Sequence, residues 1–585
     1  MTQLRPTILL TIMAMQLATL HAGAFAFNPN KLLEQSQSGE RIAGAALSVS
    51  IDGNVIYSQA AGCAQFHKNP DRGCKVSLQP ETKFRVASIS KMALALAVHR
   101  LVDKGKLKLD ADISGYLGWT LRNPAFPSAH ITVRHLLEHT SSIRDPEPYW
   151  VEAPGTLRSL FTEGATPFAA KDASLDLSPG SYFSYANLNS AILATILENV
   201  QQERFDRLMS QIVFIPRNLD AGYNWSGVSR KARRKGATLF RYGADGWEAQ
   251  TDDQKILRSS LPYFLAKENV NKKTYLRDYT PGQNASLFSP QGGLRASVLD
   301  LLRLTRAMAY TGAMQKMTWQ VNDNASNGDT QDGYFSAYGL GAHTITGTDD
   351  AFPGYAFRGH SGEAYGLYSG AWDVIAMPGT PADIHPDIQV SFAITGTQGR
   401  PAAGSHPSFN QAEEMLMRTA LEEIKKYQTA PPPTSDHHGH GADEPRPYDQ
   451  TRNAKDDVET TLANAAQSGR KPLLVLGANW CHDSRGLAAR FLKPEFQSLI
   501  NEHYELLYVD VGRRERNLDI AARFGVDKLV GTPTVFILDS DLNTVNADSV
   551  HMWRRAASIS DEETFEYLDT FARGEIWSAE DKSDE

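Results

Sequence analysis

Phe84-Arg-Val-Ala-Ser-Ile-Ser-Lys91 is the stretch from which the fold can be read. It closes on Ser88-Ile-Ser-Lys91, and an apolar run follows through Met92, Leu94, Leu96, Val98, Leu101 and Val102. That pattern predicts a buried helix starting at about Ser88 and ending near Gly105. Three residues of helix bring Lys91 round to the face that carries Ser88. A serine hydroxyl is a weak nucleophile until a base removes its proton, and a lysine amine one turn away is within reach. The serine N–H, at a helix N-terminus, also favours developing negative charge. Taken alone, Ser88 reads as an ordinary N-cap rather than a nucleophile, so the rest of the chain has to decide between the two roles.

The chain has 585 residues, enough for several domains, and a net charge of −8, which gives no footprint for nucleic acid. One basic cluster, Arg230-Lys-Ala-Arg-Arg-Lys235, reads as a solvated loop. At the N-terminus, Arg5, the apolar run Ile8 to Leu20 and the small-x-small triplets Ala22-Gly-Ala24 and Ala24-Phe-Ala26 have the layout of a secretory signal over residues 1–26. Export to the periplasm or medium is expected, with an uncleaved anchor as the alternative and no membrane span after cleavage. In an oxidising compartment, Cys63 and Cys74 are expected to close a local disulfide, which leaves Cys481 as the odd cysteine.

Between these landmarks, Ala46 to Ile51, Asp52-Gly53 and Val55 to Tyr57 read as a hairpin. Pro179-Gly180 places Tyr185 and Asn187 on a turn before a helix over Ala191 to Val200. Residues 221–289 carry no readable order. Gly292-Gly293 precedes a helix from Val298 to Met308, and Gly359-His-Ser-Gly362 precedes a strand-like run, Tyr365 to Trp372. A strand over Ile388 to Thr395 and a helix over Gln411 to Tyr427 follow. Strands, then helices, then strands and a last helix predict an α+β domain: an antiparallel sheet flanked by helices, with a helical subdomain.

Residues 428–447, with Pro431-Pro-Pro433 and His437-His-Gly-His440, read as a linker. Three histidines on such a segment are not expected to hold a physiological metal, and no cofactor is expected elsewhere. From 448 to 585 strands and helices alternate, the pattern of a smaller α/β domain.

Phe84 to Lys91, Leu136-Leu-Glu-His-Thr-Ser-Ser142, Pro179-Gly180, Tyr185-Ala-Asn187, Gly292-Gly293 and His360-Ser-Gly362, in that order, resemble the serine β-lactamase and penicillin-binding-protein superfamily. The branch most similar is that of class C β-lactamases, D-aminopeptidases and esterases, over roughly residues 30 to 427, within a domain set at 27–427. The resemblance implies that Ser88 is acylated, that Lys91 and Tyr185 share the proton work, and that Asn187 either binds the substrate amide or holds Lys91. It implies an oxyanion hole from the Ser88 N–H and one N–H on the strand after Gly362. His360 stands where β-lactamases usually have lysine. Less fixed positive charge there favours an ester or amide without a carboxylate. His135 and His139 are read as structural support.

In the second domain, Trp480-Cys-His-Asp-Ser484, Phe524-Gly-Val526 and Gly531-Thr-Pro-Thr534 resemble a thioredoxin fold. The resemblance implies a cis Pro533 beside Cys481. Ser484 replaces the resolving thiol, so an ordinary dithiol cycle is excluded. Cys481 is expected either to be a low-pKa thiolate that forms a mixed disulfide with a partner or to sit in a redox-inert binding domain. The first expectation for the whole chain is an exported serine hydrolase acting on a small-molecule or peptide substrate, peptidoglycan fragments among the candidates. The alternatives are a non-catalytic wall- or penicillin-recognising binder, and a thiol–disulfide protein whose first domain delivers substrates.

Overall fold

The computed structural model describes residues 42–67, 72–162, 167–217, 219–244, 246–252, 276–348, 350–376, 387–398, 403–429, 445–527 and 529–575. The signal-like segment 1–26 and the histidine trio His437, His438 and His440 lie outside them. The chain divides into two compact units. One holds Tyr57–Asp373 and Gln389–Ala420 with the strand residues up to Val49; the other holds Leu421–Glu585 with Ser50–Ile56 and Val374–Ile388.

The first unit is built on a nine-stranded sheet. Its strands lie in the order β3 (Cys74–Ser77), β2 (Asn54–Phe66), β1 (Gly44–Ile51), β14 (Ile388–Thr395), β13 (Leu367–Ala376), β12 (Tyr355–Ala364), β11 (His343–Ile345), β10 (Ala337–Gly339) and β9 (Met317–Gln320). The β1–β2 turn is Asp52-Gly53, with φ of 55° and 78°. Two consecutive positive φ values match the right-handed twist of the strands, and the Asp-Gly pair tolerates them. Central strands pair in antiparallel register, Leu367 with Thr395 through Asp373 with Gln389. A small sheet joins β4 (Phe84–Arg85), β8 (Leu294–Ala296) and β5 (Gly222–Tyr223), and β6 (Leu239–Gly243) pairs with β7 (Gly246–Thr251).

The Ile89–Asp103 helix is buried on nearly every side, from Ile89 and Met92 to Val98 and Leu101. A helix apolar all round belongs in a core, and each large aliphatic side chain buried there contributes about 1.5–3 kcal/mol. The sheet, this helix and the Leu188–Gln201 and Val298–Ala309 helices share one hydrophobic core. The disulfide Cys63–Cys74 is present, with a Cα–Cα distance of 5.5 Å.

Several sequence readings need correction. The stretch 221–289 holds more order than its polarity announces: β5, β6, β7 and the Arg230–Arg234 helix all fall within it. The basic cluster is therefore a short helix, not a loop, because the Ser229 hydroxyl caps it by accepting from the Ala232 N–H at 3.2 Å. The Asn187 helix begins at Leu188 rather than Ala191. His360-Ser-Gly362 lies inside β12, not ahead of a strand, and Tyr365-Gly366 form the turn to β13 with φ of 58° and 78°.

In the second unit, β15 (Lys471–Gly477) runs parallel to β16 (Tyr504–Asp510) and antiparallel to β17 (Thr534–Ile537). Leu473 and Val475 enter one apolar cluster and Leu474 and Leu476 another. A central strand buried on both faces explains its unbroken apolar sequence. Among the described residues, no helix is long and apolar enough to cross a membrane.

Candidate active site

Ser88 sits at the N-cap of the Ile89–Asp103 helix and faces a cavity of about 370 Å³. The preceding residue, Ala87, has φ of 47°, a strained value for a residue with a Cβ, and it turns the chain from β4 into the helix. The hydroxyl of Ser88 does not cap its own helix. Instead, Lys91 Nζ lies 3.0 Å from Ser88 Oγ.

Lys91 is 5% exposed. Its amine also lies 2.8 Å from Asn187 Oδ1 and 3.2 Å from the Gln291 carbonyl oxygen. Burial lowers its pKa from the ordinary 10.5 to about 7, partly countered by the charge of Asp145. Its ammonium position is 4.7 Å from the centre of the Tyr185 ring. Tyr185 also hydrogen-bonds Ser88, yet burial holds its pKa well above 10. The phenol is therefore a neutral donor at pH 7 and the amine is the group poised to lose or gain a proton.

Tyr185, Asn187 and His360 also line this cavity. Asn187 lies at the start of the Leu188–Gln201 helix, where both its own N–H and that of Leu188 donate to Asp145, at 2.9 and 2.8 Å. His139, with φ of 57°, stacks on Tyr185 at 4.4 Å and accepts from the Ala186 N–H at 3.1 Å. It supports the Tyr185 loop, as expected. Among the described residues, no group of His, Cys, Asp and Glu could hold a metal ion.

His360 is 2% exposed. Its Nδ1 lies 2.6 Å from the Ser361 carbonyl, which can only accept, so that nitrogen carries the proton. Its Nε2 then accepts from the Tyr338 hydroxyl at 3.1 Å. Burial and the nearby Lys91 lower its pKa to about 3. The imidazole is thus neutral across the physiological range, a stronger departure from a lysine than its residue type alone conveys.

Gly362 is closely packed within β12. A Cβ there would sit 2.4 Å from the Val86 carbonyl oxygen and 3.2 Å from the Ala87 Cβ. The glycine lets β12 press against the strained turn that presents Ser88. Residues not singled out from sequence complete the site. Gln291 supplies a carbonyl to Lys91, Arg85 Nε donates to the Gly292 carbonyl at 3.0 Å, and Tyr149, Tyr334, Phe335 and Tyr365 give the cavity an aromatic wall. Glu363 is an exposed carboxylate on its lining. Gln291 adjoins the Gly292-Gly293 motif, the one sequence signal that pointed to it.

In the second unit Thr532–Pro533 is cis. Cys481 is 3% exposed, and its thiol donates to the Thr532 carbonyl at 3.2 Å and contacts Ser484. Burial raises its pKa, contrary to the low-pKa thiolate expected of a helix N-terminus: desolvation outweighs the helix terminus and the hydroxyl.

Comparison with known proteins bears on both units. A family model described as Beta-lactamase matches residues 30–399, and one described as Thioredoxin-like matches residues 453–540. Esterase EstB of Burkholderia gladioli is 34% identical over 134 residues, 23% of this chain and 32% of that protein. Penicillin-binding protein 4 of Amycolatopsis lactamdurans is 27% identical over 222 residues, 38% of this chain and 55% of that one. The chain thus spans about a third to a half of the length of these curated relatives. Among solved structures, D-amino acid amidase from Ochrobactrum anthropi SV3 has a TM-score of 0.45 at 16% identity, covering 66% of this chain and 95% of that one.

Proposed function

Because this chain belongs to the Beta-lactamase family, whose model matches residues 30–399, we propose that it is a serine hydrolase working through an acyl-enzyme on Ser88. The single observation that carries this reading is the 3.0 Å approach of Lys91 Nζ to Ser88 Oγ, by an amine too buried to stay fully protonated. Ser88 Oγ attacks the substrate carbonyl carbon and its proton passes to Lys91 Nζ. The oxyanion is held by the Ser88 N–H and an N–H on β12 after Gly362, an arrangement of the kind worth on the order of 10²–10³ in rate per donor. Tyr185, neutral, relays a proton to the leaving group. Water then attacks the acyl carbon, giving a proton to Lys91 Nζ, which returns it to Ser88 Oγ as the acyl C–O bond breaks.

The proposed substrate is an ester or amide without a carboxylate beside the scissile bond, since β12 presents the neutral His360 and the exposed Glu363 to the cavity, and the guanidinium of Arg85 on its lining is already engaged by Gly292, Ser289 and the Tyr365 ring. β-Lactams and peptidoglycan fragments that end in a carboxylate should be poorer substrates. The oxidised Cys63–Cys74 pair supports a periplasmic or secreted location. For the second unit, the buried Cys481 supports a binding role over a mixed-disulfide one.

The test is labelling with a fluorophosphonate probe, followed by a panel of neutral esters, D-amino-acid amides and β-lactams. Wild type should be labelled and turn over the esters or amides, while Ser88→Ala does neither. An unlabelled, folded wild type inert to the whole panel would sink the proposal.

A further inference from the structure

We propose that Asp145 is the positioning residue of this site: by fixing which way the Asn187 amide faces, it aims the Lys91 lone pair at Ser88. The inference rests on the Ser88–Lys91 reading above and concerns how that pair is made competent.

A neutral amine has two N–H bonds and one lone pair. Lys91 Nζ has three polar contacts: Asn187 Oδ1, the Gln291 carbonyl and Ser88 Oγ. The first two only accept, so they take the two N–H bonds. The lone pair is left facing Ser88 Oγ, the one contact that has a proton to give. This count holds only while Asn187 presents its oxygen to Lys91. Were the amide reversed, its NH₂ would donate to the lone pair and occupy the base.

Asp145 sets that orientation. Its carboxylate only accepts, and Oδ2 takes the Asn187 Nδ2–H at 2.9 Å, which leaves Oδ1 for Lys91. The same oxygen takes the Asn187 backbone N–H at 2.9 Å, and Oδ1 of Asp145 takes the Leu188 N–H at 2.8 Å. Three hydrogen bonds therefore lock one carboxylate to the start of the Leu188–Gln201 helix, whose orphan N–H groups favour an anion. Asp145 is itself held in place. The chain leading to it turns at His139 and Ser142, both with positive φ; Ile143 bridges Phe168, and the Arg144 N–H donates to the Pro167 carbonyl at 2.9 Å. The other titratable groups facing Lys91 are Tyr185, His139 and His360, all held neutral by burial, so the Asp145 charge is what acts on the amine.

The experiment measures fluorophosphonate labelling against pH for wild type, Asp145→Asn, Asp145→Ser and the pair Asp145→Asn with Asn187→Asp. Asp145→Asn leaves one accepting oxygen for three N–H donors, so an NH₂ faces residue 187 or Leu188, and it removes the charge. Its plateau rate should fall about 10–100-fold, the scale of a misplaced catalytic group, and its acid limb should move to lower pH. Asp145→Ser keeps a capping oxygen for the helix, so it should stay folded while its acid limb moves the same way. In the double variant, the new carboxylate at 187 accepts from both Lys91 and the amide at 145. Its plateau should recover most of the loss, with the acid limb above that of wild type. A purely structural role would lower thermal stability and rate together without moving the limb. Asp145 variants with wild-type rates or an unmoved limb would overturn the positioning role while leaving the hydrolase reading intact. A wild type that is not labelled would overturn both.

Discussion

The rate of Ser88 acylation should show one acid limb, centred near pH 7, and no second inflection until well above pH 10. The base must be unprotonated to act, so activity is lost as pH falls through the pKa of Lys91 in the folded state. An amine with the ordinary value of 10.5 is neutral in roughly one molecule in 3,000 at pH 7. With Lys91 lowered to about 7, half the molecules carry a free base, a gain on the order of 10³ in competent enzyme. Below the limb the loss is tenfold per pH unit: roughly 9% neutral at pH 6 and 1% at pH 5. Stability follows the opposite bookkeeping partner, the unfolded chain. Its lysine keeps a proton up to about 10.5 while the folded one releases it near 7, so this group's contribution to stability rises with pH between the two values. His360, near 3, and His139 stay neutral over this range and add no inflection. The assay is the second-order rate of labelling by an uncharged fluorophosphonate from about pH 5 to 10, with circular dichroism at each pH as a check on folding. A limb centred between about 9 and 10.5 would mean an ordinary lysine or a Tyr185 phenolate base, and one near 4 to 5 a carboxylate base. The first result would refute the lowered pKa of Lys91, and the second its assignment as the base.

Three further outcomes follow from particular contacts. Gly362→Ala places a Cβ 2.4 Å from the Val86 carbonyl oxygen; a shift of the Ser88 turn should cost about 1–3 kcal/mol in thermal unfolding and about 10²-fold in labelling, and labelling at the wild-type rate would contradict the contact. Replacing Cys63 and Cys74 with alanine reopens a loop of 11 residues' separation, which should destabilise the first unit by about 3 kcal/mol; an unfolding midpoint that dithiothreitol leaves unchanged in wild type would count against it. Cys481, buried with a raised pKa, should react with iodoacetamide at pH 7 at least about tenfold more slowly than a free thiol and reach the free-thiol rate only on unfolding; fast modification of the folded protein would restore the redox reading.

The chain's local signals were legible to the extent that they are local. Helix periodicity alone placed Ser88 and Lys91 on one turn, Asp52-Gly53 marked its hairpin, and the alternating strands and helices after 448 gave the α/β second domain. The errors share a cause. His360-Ser-Gly362 has the composition of a loop, yet it lies in β12 because β13 and the Ser88 turn surround it, and neither is a sequence neighbour. The polar Arg230–Arg234 stretch became a helix through a serine cap too small to stand out from its charges. Cys481 was read from its place at a helix start, whereas its titration is governed by how deeply it is buried.

The sequence by itself determined the pair of folds, through motifs read in order along the chain, and the turn that sets Ser88 beside Lys91, because helix geometry relates residues three positions apart. Only the tertiary structure decided how deeply Lys91 is buried and which groups it meets, what His360 bonds to and what Gly362 packs against. Lys91 meets Asn187 across 96 residues and Gln291 across 200, and its proton affinity is set by the water those partners exclude. Asp145 reaches Asn187 across 42 residues and turns an amide that is symmetric in the sequence into one with a direction. Burial and hydrogen-bond partnership are properties of the assembled core, and no spacing along the chain encodes them.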